Sequence, residues 1–115
     1  MLSDNEIKVG YHLIINIYDI EESLIYNNDI LMKIFKNIIV MSKLTILNEY
    51  HHHFKPYGMT GMYCLSESHL TYHTWPEHNK LCLDVFTCGN NIKIKQINEL
   101  LLQYFKKFNI VELDR

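Results

Sequence analysis

The sequence predicts an α+β fold: a two-layer α/β sandwich whose mainly antiparallel sheet is covered on one face by two helices. Three observations carry this. β-Branched and aromatic extended stretches outnumber helical ones, two segments repeat apolar residues at helical spacing, and 115 residues leave room for one core. A single domain spanning residues 1–115 is the expectation.

Gly10 to Asp19 alternates imperfectly and is rich in Ile and Tyr, which predicts a first strand. Asn27 and Asn28 punctuate the chain and Asp29 is placed to cap a helix. Ile30, Leu31, Ile34, Phe35, Ile38 and Ile39 then form one broad apolar stripe, so the helix ends near Ser42. Leu44 to Phe54 reads as a second strand. Lys55-Pro56-Tyr57-Gly58 supplies turn residues, and Met59 to Leu65 returns as the partner of a hairpin.

Ser68 to Trp75 and Leu81 to Thr87 are two further extended segments, separated by the turn-like Pro76 to Lys80. Ile94, Ile97, Leu101, Tyr104, Phe105 and Phe108 mark one face of a second helix, and Ile110 to Leu113 can add a short edge strand. The order β-α-β-β-β-β-α follows.

A formal net charge of −2 with scattered lysines gives no footprint for nucleic acid. Apolar runs such as Ile38 to Met41 are too short to span a bilayer, and Met1 to Lys8 is too polar for a signal peptide. A cytoplasmic protein with no membrane partner is expected. Cys64, Cys82 and Cys88 are an odd set without a CxxC pair, which favours free thiols, Cys64 and Cys82 as small buried hydrophobes.

Chemistry is concentrated in the polar run Ser66 to Glu77. Ser68 and His73 are near enough in sequence to meet across a bend, although a strand would put them on opposite faces. A serine–histidine hydrolase is one reading. Ser68 lacks the Gly-x-Ser-x-Gly elbow and no acid is nominated to orient the histidine, so a polar strand with a structural histidine stands beside it. His51-His52-His53 invites a metal reading, but consecutive strand residues alternate faces, and no metal is expected.

Taken whole, Glu67-Ser68-His69-Leu70-Thr71, His73-Thr74-Trp75-Pro76-Glu77 and Asp84-Val85-Phe86-Thr87-Cys88-Gly89 resemble the small prokaryotic-type S-adenosylmethionine decarboxylases. The resemblance extends through Phe54-Lys55-Pro56-Tyr57-Gly58-Met59-Thr60-Gly61 and, more loosely, to Gly10-Tyr11-His12-Leu13 and Tyr18.

The resemblance implies a proenzyme in which the hydroxyl of Ser68 attacks the carbonyl of Glu67. The ester then breaks by β-elimination, giving chains 1–67 and 68–115 with a pyruvoyl group at residue 68. That carbonyl would form a Schiff base with S-adenosylmethionine and accept electrons during decarboxylation, with no pyridoxal phosphate. The product would be the aminopropyl donor for spermidine and related polyamines.

By the same resemblance His73 transfers protons in processing and Thr60, where the family commonly has serine, assists it. Cys88 returns a proton to the decarboxylated carbon, Phe54 and Trp75 lie near the nucleoside, and Glu77 accepts from the ribose hydroxyls. A homodimer of processed protomers, with sites near the interface, is implied. Asn16 stands where an acid is frequent, and His78-Asn79-Lys80-Leu81 departs from the usual loop. Two other readings keep this scaffold: a pyruvoyl-dependent arginine or ornithine decarboxylase, and a non-catalytic regulatory or nucleoside-binding homologue.

Overall fold

The computed structural model describes residues 7–88 and 91–115, with the side chains of residues 91–94 excepted. Six strands form one antiparallel sheet: β1 (Tyr11–Tyr18), β2 (Ile46–His53), β3 (Met59–Leu65), β4 (Ser68–Trp75), β5 (Lys80–Thr87) and β6 (Lys107–Asp114), in the order β2-β3-β4-β5-β1-β6. The helices are α1 (Glu22–Ile25), α2 (Asn28–Met41) and α3 (Asn91–Tyr104).

Alternation decides which face is covered. Leu13, Ile15 and Ile17 on β1, Leu70 and Tyr72 on β4, and Leu81, Leu83 and Val85 on β5 are buried with the inner faces of α2 and α3. From α2 come Leu31, Ile34, Phe35, Ile38 and Ile39, and from α3 Ile97, Leu100 and Leu101. Phe35 lies on Tyr72 with ring centroids 4.4 Å apart. Replacing such a fully buried aromatic with alanine costs about 3–5 kcal/mol. The opposite face carries His12, Asn16, Thr60, His69, Thr71, His73, Trp75, Cys82, Asp84 and Phe86, and no element of the described chain lies over it.

Several elements differ from the sequence expectation. Asn27, not Asp29, caps α2: its backbone is extended and its side-chain oxygen accepts from the amide of Ile30 at 3.1 Å. A one-turn helix, α1, precedes it. The second strand starts at Ile46 rather than Leu44. The tail is a full eight-residue edge strand along β1, and Phe108 belongs to it, opposite Ile17, rather than to the helix. Cys64 is exposed, not buried, because it lies on the uncovered face. The side chain of Ile94 and residue Gly89 lie outside the described residues. No helix is long and apolar enough to cross a membrane among the described residues.

Candidate active site

The Glu67–Ser68 bond lies at the tip of a tight hairpin, where the turn Ser66-Glu67 re-enters the sheet and Ser68 pairs with Leu65 and Thr87. The Cys88 thiol, at the end of β5, donates to the Glu67 carbonyl oxygen at 2.7 Å. The Ser66 hydroxyl donates to the Glu67 carboxylate. Gly10 comes so near this corner that a Cβ there would stand 2.4 Å from the Thr87 carbonyl oxygen. Ser68 Oγ is buried with no hydrogen-bond partner among the described residues. A buried hydroxyl without a partner is uncommon, and here it belongs to the residue next to the carbonyl that Cys88 contacts.

A second cluster occupies the far end of β4. His73 packs on Trp75 with centroids 4.2 Å apart and on Phe54 at 5.6 Å, and His52 meets Phe54 edge-on at 4.8 Å. Phe54 is held by a closed turn in which its amide donates to the Gly58 carbonyl at 2.9 Å. Gly58 adopts φ +101, a conformation that side chains other than glycine rarely take. Thr74, buried beneath, accepts from the Met59 amide at 2.9 Å and ties β3 to β4. Thr60 is the register partner of His73, and its hydroxyl donates to the Tyr72 carbonyl at 3.1 Å. Glu77 is exposed in the one-turn 3-10 helix Pro76–His78.

An open groove of about 480 Å³ runs along the uncovered face, lined by Thr60, Met62, Thr71, His73, Trp75 and Cys82 among others. It joins His73 to Trp75 but stops short of Ser68.

The structure therefore brings the sequence candidates together as two groups, not one. Glu67, Ser68 and Cys88 share one end of the sheet; Phe54, Thr60, His73, Trp75 and Glu77 share the other. Ser68 and Trp75 are ~23 Å apart along the strand at ~3.3 Å per residue. Ser68 has the strand parity of the buried Leu70 and Tyr72, whereas His73 lies on the uncovered face. There is no bend between them, so within one chain they do not meet.

The three consecutive histidines have separate partners. His51 bonds the Tyr72 hydroxyl at 2.5 Å and Glu49 at 2.9 Å, His52 touches Phe54, and His53 bonds Asn28 at 2.8 Å. Among the described residues no group of three such side chains is placed to hold a metal ion.

The sequence profile of the family described as S-adenosylmethionine decarboxylase matches residues 11–115. This chain belongs to the S-adenosylmethionine decarboxylase family. Similar relatives include the S-adenosylmethionine decarboxylase proenzyme of Archaeoglobus fulgidus, 36% identical over 98 residues, covering 85% of this chain and 88% of the relative. The proenzyme of Prochlorococcus marinus is 39% identical over 95 residues, covering 83% and 76%. The crystal structure of the adenosylmethionine decarboxylase from Aquifex aeolicus superposes with a TM-score of 0.83 at 25% identity, covering 94% of this chain and 91% of that one.

Sequence reasoning on residue types singled out Ser68 and His73 but had no means of pairing Cys88 with Glu67, 21 positions away. Register supplies that contact: Thr87, the residue before Cys88, is the cross-strand partner of Ser68, the residue after Glu67.

Proposed function

We propose that this chain is a self-cleaving proenzyme that decarboxylates S-adenosylmethionine through a pyruvoyl group formed at residue 68, supplying an aminopropyl donor for polyamine synthesis. The single observation that carries this is Cys88 Sγ on the Glu67 carbonyl beside the unpartnered Ser68 hydroxyl. A thiol donor there withdraws electron density from the carbonyl that Ser68 would attack. In that attack Ser68 Oγ bonds to the Glu67 carbonyl carbon and the peptide nitrogen leaves it as the amine. β-Elimination then frees the Glu67 carboxylate, and water replaces the nitrogen as ammonia. Chains 1–67 and 68–115 result.

The pyruvoyl group, when formed, supplies an electrophilic carbonyl that takes the substrate's amine and draws off electrons. Ser68 alone is its source, with no pyridoxal phosphate and no metal. The residues around it fit: the carbonyl site is tied to Cys88, whose thiol is then free to return a proton to the decarboxylated carbon. Phe54 and Trp75 offer aromatic faces for adenine, and Glu77 offers acceptors for the ribose.

These two groups are complementary halves. Two protomers packed with their uncovered sheet faces together and strands reversed would bring one chain's Ser68 end onto its partner's His73 end, so a homodimer completes the site. His73 and Thr60 would then assist processing in trans. Intact-mass measurement of the purified protein tests the reading: fragments 1–67 and 68–115, the second with a pyruvoyl terminus, are expected, and Ser68→Ala should stay whole. A wild-type chain that remains whole and releases no carbon dioxide from S-adenosylmethionine would overturn it.

A further inference from the structure

One carboxylate stands in the groove that joins His73 to Trp75. Asp84 lies on the uncovered face of β5, cross-strand from Thr71 and two positions beyond Cys82, the partner of His73. Its main chain is therefore ~7 Å along the strand from the level of His73. Asp84 lines the same groove of about 480 Å³ as His73 and Trp75. It is the one carboxylate in that lining among the described residues, and no lysine or arginine shares it. Tyr50, Met62 and Trp75 make much of the wall apolar and aromatic.

The surroundings leave this charge available. The Asp84 side chain is 44% exposed, and only its Oδ1 approaches a basic group, His12 Nε2 at 3.3 Å, without the alignment of a hydrogen bond. Lys80, the next cation along this face of β5, is turned over the Tyr18 ring, 5.5 Å from its centroid. Asn16, cross-strand from Cys82, is neutral; its Oδ1 accepts from the Cys82 thiol at 3.2 Å and its amide donates to Asn109 at 3.4 Å. The Thr60 hydroxyl donates to the Tyr72 carbonyl at 3.1 Å. A cation entering the groove therefore meets one full negative charge set among apolar and aromatic surfaces.

We infer that Asp84 is a specificity-determining residue, the counter-charge for the substrate's sulfonium, which separates S-adenosylmethionine from neutral thioether nucleosides of similar shape. The inference rests on the decarboxylase reading above. A sulfonium is positive but has no N–H or O–H to donate, so it is recognised by charge and by polarisable faces alone. An ammonium or guanidinium, with three or five donors, would call on several acceptors. The sulfur is bonded to the 5′ carbon of the ribose, so a nucleoside whose adenine rests on Trp75 carries its sulfonium into the same groove. Its charge is unchanged between bound substrate and transition state, because decarboxylation takes place elsewhere in the molecule. The contact thus contributes to KM and not to kcat.

Two probes without an amine, neither able to react at residue 68, isolate the contact: 5′-deoxy-5′-dimethylsulfonioadenosine, which is charged, and 5′-deoxy-5′-methylthioadenosine, which is not. Calorimetry on the processed protein should show that wild type binds the sulfonium more tightly. Asp84→Asn, nearly the same shape, should weaken the sulfonium by roughly 3- to 10-fold and leave the thioether within about twofold. Asp84→Glu should restore the preference in part, which a merely structural role would not predict. KM for S-adenosylmethionine should rise in Asp84→Asn by a similar factor, with a smaller change in kcat. Equal binding of the two probes by wild type, or a preference that survives intact in Asp84→Asn, would overturn the inference while fragment formation and carbon dioxide release persist. A chain that neither cleaves nor decarboxylates would overturn the reading beneath it.

Discussion

The Cys88 thiol donates to the Glu67 carbonyl oxygen across 2.7 Å, although 21 positions separate the two residues. The contact is made before any cleavage, so one side chain can serve two steps in succession. Under the proposed function it would polarise, in the whole chain, the bond to be cut. Under the same proposal, release of Glu67 as a carboxylate would leave this thiol beside residue 68 with a proton to give.

Cys88→Ala should therefore slow cleavage about tenfold, the loss of one modest hydrogen bond, without preventing it. Turnover of the processed enzyme should fall by roughly 10²–10⁴, the usual contribution of a positioned acid. Separate time courses of fragment formation and carbon dioxide release measure both effects. Turnover within a factor of two of wild type would clear Cys88 of the proton-donor role.

Glu77 is fixed by the one-turn helix Pro76–His78, whose end is pinned by Asn79, with its side-chain amide donating to the Ile20 carbonyl at 2.9 Å. Glu77→Gln should raise KM for S-adenosylmethionine about tenfold, because an amide replaces a charged acceptor for two hydroxyls. Arginine and ornithine, which have no ribose, should be poor substrates for wild type. Carbon dioxide release from each compound separates the cases, and a clear preference for either amino acid together with indifference to Glu77→Gln would move the substrate assignment to a basic amino acid.

On the helix-covered side, Glu49 bonds His51 at 2.9 Å and Lys36 at 3.3 Å, and the His51 bond is the main cause that holds its carboxyl below the ordinary 4.5. A carboxyl depressed in the folded state binds fewer protons there than in the unfolded chain. Its contribution to stability is thus complete above the unfolded value and is lost as pH falls through the folded one. Unfolding midpoints in denaturant, followed from pH 6 to about pH 3, should fall less steeply for Glu49→Gln than for wild type. Parallel curves would show that Glu49 takes no part in the acid limb.

Much of this was legible in the sequence for identifiable reasons. Period-two alternation located β4 and β5, and it already placed Ser68 and His73 on opposite faces, since an odd separation within a strand cannot do otherwise. The cap at Asn27 was missed because three adjacent polar residues compete for it, and only the backbone angles choose. The bond between His51 and Tyr72 was not readable at all. Their strands are not neighbours, and they meet over Gly61, where a Cβ would come 2.4 Å from the Tyr72 hydroxyl. Long-range register of that kind leaves no local pattern.

The separation of Ser68 from His73 leads to the sharpest prediction, that the two act between chains. Ser68→Ala and His73→Ala should each remain uncleaved when produced alone, the first for want of a nucleophile and the second for want of a proton carrier. Produced together, a mixed dimer would place the intact Ser68 of the His73→Ala chain against the intact His73 of the Ser68→Ala chain. Random pairing of equal amounts should then cleave roughly half of the His73→Ala chains, identifiable by the mass of a 68–115 fragment that carries the substitution. The Ser68→Ala chain should stay whole throughout. If His73 instead served its own Ser68, after a rearrangement of β4, the mixture would yield no fragment at all. A 68–115 fragment from His73→Ala alone would show that another base does the work.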